Sequence, residues 1–167
     1  MSREWLERLL EAIIPPEDTI LDLGVGPDSP AQNLPNRRTG VDVYQPHLDR
    51  AQNLAAKVLH DLRIMPLPFP PKSFGVVLML DVLEHLEDRD AINLLKEAER
   101  IAEKQVIIYT PLGFVAQERD IYGLGGDFWM KHRCGFHPKC FRNRDYGVIL
   151  TRGDGKNRGI LAVLDNE

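Results

Sequence analysis

Apolar positions along this chain follow two alternating periods. Trp5, Leu6, Leu9, Leu10, Ile13 and Ile14 recur at helical spacing with Arg3, Glu4, Glu7, Arg8 and Glu11 between them. That predicts an amphipathic helix over residues 1–14, stopped by Pro15-Pro16. Short apolar runs at 19–23 and 39–43 predict buried strands, with a helical stretch around 48–55 and a weak third strand at 57–60. Residues 74–80 are apolar throughout, as expected of a parallel strand covered on both faces. A Leu-, Ala-, Glu- and Lys-rich helix over 87–102 and a strand at 105–109, ended by Pro111, follow. The period is then lost: 112–136 is Gly-rich and aromatic, and 138–142 predicts one helical turn. Two last apolar runs, 146–151 and 159–164, flank the polar stretch Arg152-Gly153-Asp154-Gly155-Lys156-Asn157-Arg158, which predicts an antiparallel hairpin.

Repeated strand–helix units closed by a hairpin predict an α/β fold. Its sheet is Rossmann-like, doubly wound and mostly parallel, with helices on both faces and an antiparallel pair at the C-terminal end. With 167 residues and no repeat, linker or low-complexity tract, residues 1–167 read as one domain. A content of 43% hydrophobic and 28% charged residues is that of a globular protein, and a formal charge of -4 disfavours wholesale binding to nucleic acid or membranes. No run reaches the roughly 20 apolar residues that span a bilayer. The charged residues in the first helix exclude the apolar core of a signal peptide, and two cysteines make no disulfide framework, so the expected location is the cytoplasm. Charge is uneven, however. Between Phe128 and Ile160 stand eight basic residues and two acidic ones, which suits either a solvated basic face or an anionic small-molecule partner.

The segment that carries chemistry is Ile20-Leu21-Asp22-Leu23-Gly24-Val25-Gly26-Pro27. Glycines directly after a first strand let backbone approach a nucleotide-like ligand, and Asp42, closing the second strand, stands where an acidic residue accepts hydrogen bonds from ribose hydroxyls. A Gly-x-Gly turn could also announce NAD. Here Gly26 is followed by Pro27-Asp28-Ser29-Pro30, and Pro35 interrupts any helix, so no helix N-terminus is offered to a pyrophosphate. Carboxylates at Asp22 and Asp28 would repel phosphates but attract the ammonium and sulfonium of S-adenosylmethionine (SAM).

Taken in order, these pieces resemble class I SAM-dependent methyltransferases of the small-molecule type. Asp22-Leu23-Gly24-Val25-Gly26 is similar to the family's first motif, and Gly40-Val41-Asp42-Val43 to its second. His60-Asp61-Leu62 falls where the family has a carboxylate for the adenine amino group. Leu67-Pro68-Phe69-Pro70-Pro71 with Val76-Val77, then Asp81-Val82-Leu83-Glu84-His85-Leu86, resemble the approach to the fourth strand and its end. The series covers roughly residues 18–112. Three departures stand out: Asp28 replaces the third glycine, the helix before the second strand is cut short, and Gly75 stands where the family has Asp.

The resemblance implies SAM as cofactor, with S-adenosylhomocysteine as product, and methyl transfer to a small-molecule acceptor. It implies Gly24 and Gly26 for cofactor approach, Asp22 for orienting the loop or binding the ammonium, and Asp42 for the ribose. Tyr44 would lie against the ribose or adenine, or simply pack. Asp61 with Leu62 would frame the adenine, and Asp81 would sit near the methionine end. In-line methyl transfer needs alignment and desolvation, and a base only where the nucleophile holds a proton. His85 and His132 are the candidate bases, with packing at the start of a helix the alternative for His85. His132, Cys134, His137 and Cys140 have irregular spacing for zinc, and no metal is expected. Gly123, Gly125 and Gly126 between aromatic residues read as a lid or an ordinary surface loop. A SAM- or nucleoside-binding protein without catalysis is the alternative function.

Overall fold

The structure, a computed structural model, describes residues 3–151 and 158–166. Residues 152–157 of the expected hairpin loop lie outside the described residues. Helix α1 (Arg3–Ile13) turns Leu6 and Leu10, with Ile14 just beyond its end, onto one face of the sheet. Strands β1 (Ile20–Leu23), β2 (Arg38–Asp42) and β3 (Ala56–Leu59) follow, with the short helix α2 (Gln45–Arg50) before β3. Next come β4 (Phe74–Leu80), helix α3 (Asp88–Ile101) and β5 (Ala102–Pro111). Two short helices, α4 (Asp127–Met130) and α5 (Pro138–Arg142), precede the pair β6 (Gly147–Leu150) and β7 (Gly159–Asp165).

The strands form one sheet in the order β3-β2-β1-β4-β5-β7-β6, parallel from β1 to β5, with β7 antiparallel to both β5 and β6. This is the doubly wound, mostly parallel sheet with a terminal antiparallel pair that the pattern predicted. Alternation along the strands divides the core. Leu21, Leu23, Val77, Met79, Val106 and Ile108 pack beneath Ala91, Leu94, Leu95, Ala98 and Ile101 of α3. Ile20, Val76, Leu78 and Ile107 pack beneath α1. Both faces are thus dry, which is why β4 carries no polar residue.

Local differences from the sequence pattern have local causes. Helix α2 starts at Gln45, not near Leu48, because Pro46 fits the first helical turn, where its missing N–H costs no bond. It ends at Arg50, and Asn53 turns the chain with φ 56°. Strand β5 starts at Ala102, directly after α3, without the loop expected there. The helix expected to be short between β1 and β2 is absent. Residues 24–37 form turns pinned by Asn36, whose Nδ2 donates to the carbonyls of Pro15 and Asp18 at 2.8 Å each. Helix α1, with Ala31, covers that part of the sheet instead.

Candidate active site

A cavity of about 780 Å³ opens over the carboxyl ends of β1, β2 and β4, where open α/β sheets hold their ligands. Its floor is the turn after β1, whose first amides stay on the sheet: Gly24 and Val25 both donate to the Val41 carbonyl, at 2.8 and 3.0 Å. Gly24 (φ 68°) and Gly26 (φ 59°) hold left-handed conformations that a side chain strains. They differ in what surrounds them. A Cβ on Gly24 would fall 2.2 Å from Val82 Cγ2, so this glycine makes room for the residue after β4. A Cβ on Gly26, which lines the cavity, would meet nothing within 4 Å.

Asp22 is 1% exposed and does not line the cavity. Its Oδ2 accepts from Arg38 Nη1 at 3.0 Å and from Ser29 Oγ at 2.7 Å, while Arg38 Nη2 donates to the Gln52 carbonyl at 2.8 Å. Burial pushes Asp22 above the usual carboxylate range and Arg38 below the usual guanidinium range, so desolvation outweighs the attraction between them. Of the two expectations for Asp22, the geometry matches loop orientation through Ser29.

Asp42 does line the cavity. Its Oδ2 accepts from the Gly26 N–H at 3.0 Å and its Oδ1 from the Tyr44 N–H at 2.9 Å, with His47 Nδ1 at 3.4 Å from Oδ1. An ionised carboxylate has about four lone-pair sites, so acceptor capacity remains for two hydroxyls. Tyr44 is not among the lining residues. Its hydroxyl donates to the Leu124 carbonyl at 2.7 Å, and its ring meets His47 edge-on. It ties down the glycine-rich loop, as does Asp120, whose carboxylate accepts from the amides of Tyr122, Leu124 and Gly126.

Asp61 and Leu62 line the cavity, but Asp61 is already engaged. Arg63 Nε and Nη2 grip both oxygens, and hydrogen bonding to Arg63 holds the carboxyl below its usual range. The same guanidinium lies 5.1 Å over the Trp129 ring. An adenine amino group at Asp61 would share or displace this arginine.

The far wall follows β4. Asp81 adopts φ 52° there and is exposed on the cavity side, while the protein packed around it raises its carboxyl to about 6 by desolvation. Three residues on, Glu84 is 2% exposed, and burial with the charge of Asp81 pushes it well above the usual range. His85 and His132 meet edge-on at 4.7 Å between ring centres. Burial and His132 lower His85 to about 4, and burial lowers His132. Both expected histidines therefore stand side by side on the cavity wall, far apart as they are in sequence.

Trp5 and Leu6 bring α1 into the wall, as expected of a first helix that shapes the acceptor pocket together with residues 111–145. Other lining residues went unread in the sequence: Arg63 with Trp129 forms a stacked pair across the cavity. Glu84 is the one with a legible signal, an acid one helical turn from Asp81 and beside His85. The irregular His132, Cys134, His137, Cys140 series does not form a cluster among the described residues. Cys134 is buried with its Sγ 3.4 Å from the Leu83 carbonyl, while Cys140 is exposed on α5. Burial pushes the Cys134 thiol up to about 12. A thiol reagent at pH 8 should accordingly titrate Cys140 alone in the native protein and both cysteines in denaturant. Rapid reaction of both in the native protein would show that the core around Leu83 opens.

The donor set suits the expected cofactor: open space at Gly26 and acidic acceptors at Asp42, Asp61 and Asp81 for hydroxyl, amino and cationic groups. Comparison with known proteins points the same way. The sequence model of the methyltransferase domain family matches residues 21–110. Over 125 residues the chain is 29% identical to 27-O-demethylrifamycin SV methyltransferase of Amycolatopsis mediterranei (strain S699), covering 65% of this chain but 46% of that protein. The chain thus spans less than half the length of this curated relative. Among solved structures, the PH0226 protein of Pyrococcus horikoshii OT3 superposes with a TM-score of 0.70 at 19% identity, covering 98% of this chain and 89% of that one. Magnesium protoporphyrin IX methyltransferase of Synechocystis PCC 6803, crystallised with SAM, gives 0.67 at 14% identity, covering 99% and 78%. These two likenesses concern the fold.

Proposed function

The chain belongs to the methyltransferase domain family, and on that premise we propose that it moves a methyl group from SAM to a small-molecule acceptor. The observation that carries this reading is the cavity itself, opened by the bare face of Gly26 and ringed by Asp42, Asp61 and Asp81. SAM supplies an electrophilic methyl carbon on a sulfonium. The work left to the protein is to align that carbon with the acceptor and to keep water away.

Asp42, held by the amides of Gly26 and Tyr44, accepts the ribose hydroxyls with its remaining lone pairs. Asp61 and Leu62 flank the adenine, with Arg63 yielding or sharing its grip. Asp81 sets negative charge beside the cationic methionine end, where a low-dielectric wall strengthens the attraction. Asp22 acts at one remove, holding Ser29 and through it the loop. Exposed Ile121 and Phe128 stand on the acceptor side, where a bound molecule would cover them and be covered. His85 and His132 supply proton acceptors at that end: each presents Nδ1 to a backbone carbonyl, Lys131 at 3.3 Å and Val115 at 2.6 Å. A carbonyl only accepts, so Nδ1 carries the proton and Nε2 keeps its lone pair.

An anionic acceptor would be met by a basic residue of the 128–160 stretch that faces the cavity without a carboxylate partner. Lys131, Arg133 and Arg144 have carboxylate partners in Glu118, Glu87 and Glu99. Arg152 and Lys156 lie outside the described residues. Among the described residues of that stretch, Arg133 and Arg158 line the cavity, and since Arg133 is held by Glu87 and the His85 and Phe128 carbonyls, Arg158 is the one offered to an anionic acceptor.

Calorimetric titration tests the reading. SAM and S-adenosylhomocysteine should bind the folded protein in the micromolar range, and NADH should not. Asp42→Ala should weaken both adenosyl ligands by at least about tenfold, since hydrogen bonds to a charged group are worth about 1.5–3 kcal/mol. Failure of both ligands to bind folded protein, or tight binding of NADH, would overturn it.

A further inference from the structure

The acceptor side of the cavity holds a group of side chains that methyl transfer by alignment alone does not explain. One carboxylate oxygen of Glu84 and one ring nitrogen each of His85 and His132 lie within 4.8 Å of one another. All three residues line the cavity. Glu84 Oε2 accepts from Thr110 Oγ1 at 3.0 Å, but Oε1 is buried with no hydrogen-bond partner. The Asp81 carboxyl lies beside it, two carboxyl groups so close repel when both are ionised, and a bound cation relieves that repulsion.

The backbone builds the cluster. Glu84 and His85 sit in a single 3-10 turn (Leu83–His85) at the end of β4. The Glu84 carbonyl accepts from the amides of Arg133 (2.7 Å) and Cys134 (3.3 Å), which fastens the segment carrying His132 alongside. Arg133 Nη1 adds a bond to the His85 carbonyl at 2.8 Å. Each histidine is oriented by an Nδ1 bond to a backbone carbonyl, the outer-sphere arrangement that fixes tautomer and aim in metal-binding histidines. Bonds of about 2.0–2.2 Å to one ion place ligands roughly 3–3.5 Å apart, so small side-chain rotations close the observed spacing.

We propose that Glu84, His85 and His132 form a site for a divalent first-row transition cation. Two imidazoles and one carboxylate favour Mn²⁺, Fe²⁺, Co²⁺ or Zn²⁺ over Mg²⁺ and Ca²⁺. Three protein ligands leave positions open on the cavity side, so the acceptor is one that offers an oxygen ligand, a hydroxyl above all. With the cation bound, the imidazole lone pairs are taken up as ligands and no longer accept a proton. The O–H proton therefore passes to water, the oxygen bonds the methyl carbon, and the S–C bond breaks with its electron pair on sulfur. No oxidant or reductant is needed. The acceptor class rests on the methyltransferase reading; the cation site does not.

The test separates the two. The protein, stripped with chelator, is titrated with Co²⁺, followed by visible absorption, and Zn²⁺ binding is measured by equilibrium dialysis. One equivalent should bind with visible bands that report nitrogen ligation. Outer-sphere partners alone are worth about 10–100-fold in affinity, so His132→Asn and Glu84→Gln should each weaken binding at least tenfold. Retained S-adenosylhomocysteine binding and an unchanged circular dichroism spectrum identify folded variants. His85→Asn serves where Glu84→Gln fails to fold. No stoichiometric binding, or equal affinity in all folded variants, overturns the cation site even if the adenosyl ligand binds. Cation binding without adenosyl-ligand binding keeps the site and removes its assignment to methyl transfer.

Discussion

Asp22→Leu should lower the free energy of unfolding by about 3–5 kcal/mol, the range found when one partner is removed from a buried ion pair. Arg38 would be left 2% exposed, with the Gln52 carbonyl as its remaining partner, and Ser29 Oγ would lose its acceptor. Arg38→Met should cost a similar amount by leaving the Asp22 carboxylate bare. The double variant should behave otherwise. Burial already pushes both groups toward their neutral forms, so an apolar pair of similar volume removes two desolvation penalties along with one attraction. Its loss should fall well below the sum of the single losses, a coupling that denaturant unfolding resolves directly. A loss under about 1 kcal/mol for Asp22→Leu would mean that water reaches the pair.

Gly24→Ala should be the second large effect, and its contrast with Gly26→Ala is the sharper result. Both substitutions put a side chain at positive φ, worth roughly 1–2 kcal/mol. At Gly24 the new methyl also strikes Val82, 2.2 Å from Cγ2 and 2.8 Å from Cβ, adding about 1–3 kcal/mol of overpacking. Gly24→Ala should therefore destabilise the fold by roughly 2–5 kcal/mol, and Val82→Ala in the same chain should restore the packing part but not the backbone part. Gly26→Ala should cost about 1–2 kcal/mol of stability and lower adenosyl-ligand affinity more than it lowers stability, because its methyl enters the cavity. Thermal melts beside calorimetry separate the two. Equal effects of both variants on both readouts would show that the two glycines share one role.

That contrast marks how far the sequence could be read. Gly24 and Gly26 look alike in a Gly-x-Gly turn, and what tells them apart is Val82, which approaches Gly24 only when β4 lies beside β1. The central strands were legible because full burial leaves a run such as Phe74–Leu80 without a polar position. The doubly wound order followed from alternation and handedness. Helix α4 was not legible, because it forms where Asp120 gathers the amides that lead into it. In the site, Asp42, Asp61, Leu62, Asp81, His85 and His132 were read from the resemblance, and all line the cavity. Asp22 and Tyr44 do not, because each found a nearer partner, Arg38 and Leu124. Pairings such as Arg63 with Trp129 depend on the irregular stretch after β5, which carries no period from which to predict its path.

The placement of β7 bears on how the chain is made. It lies between β5 and β6, so β6 pairs with β7 alone and β5 has β4 on one side only until β7 arrives. A ribosome delivers β6 before the strand it needs, and β5 waits with a row of open amides and carbonyls, an edge that invites pairing with other chains. Growing chains halted before Gly159 should hold the α3 face of the core yet be captured readily by chaperones. Release of β7 is then the step that covers the open edge of β5 and gives β6 its partner.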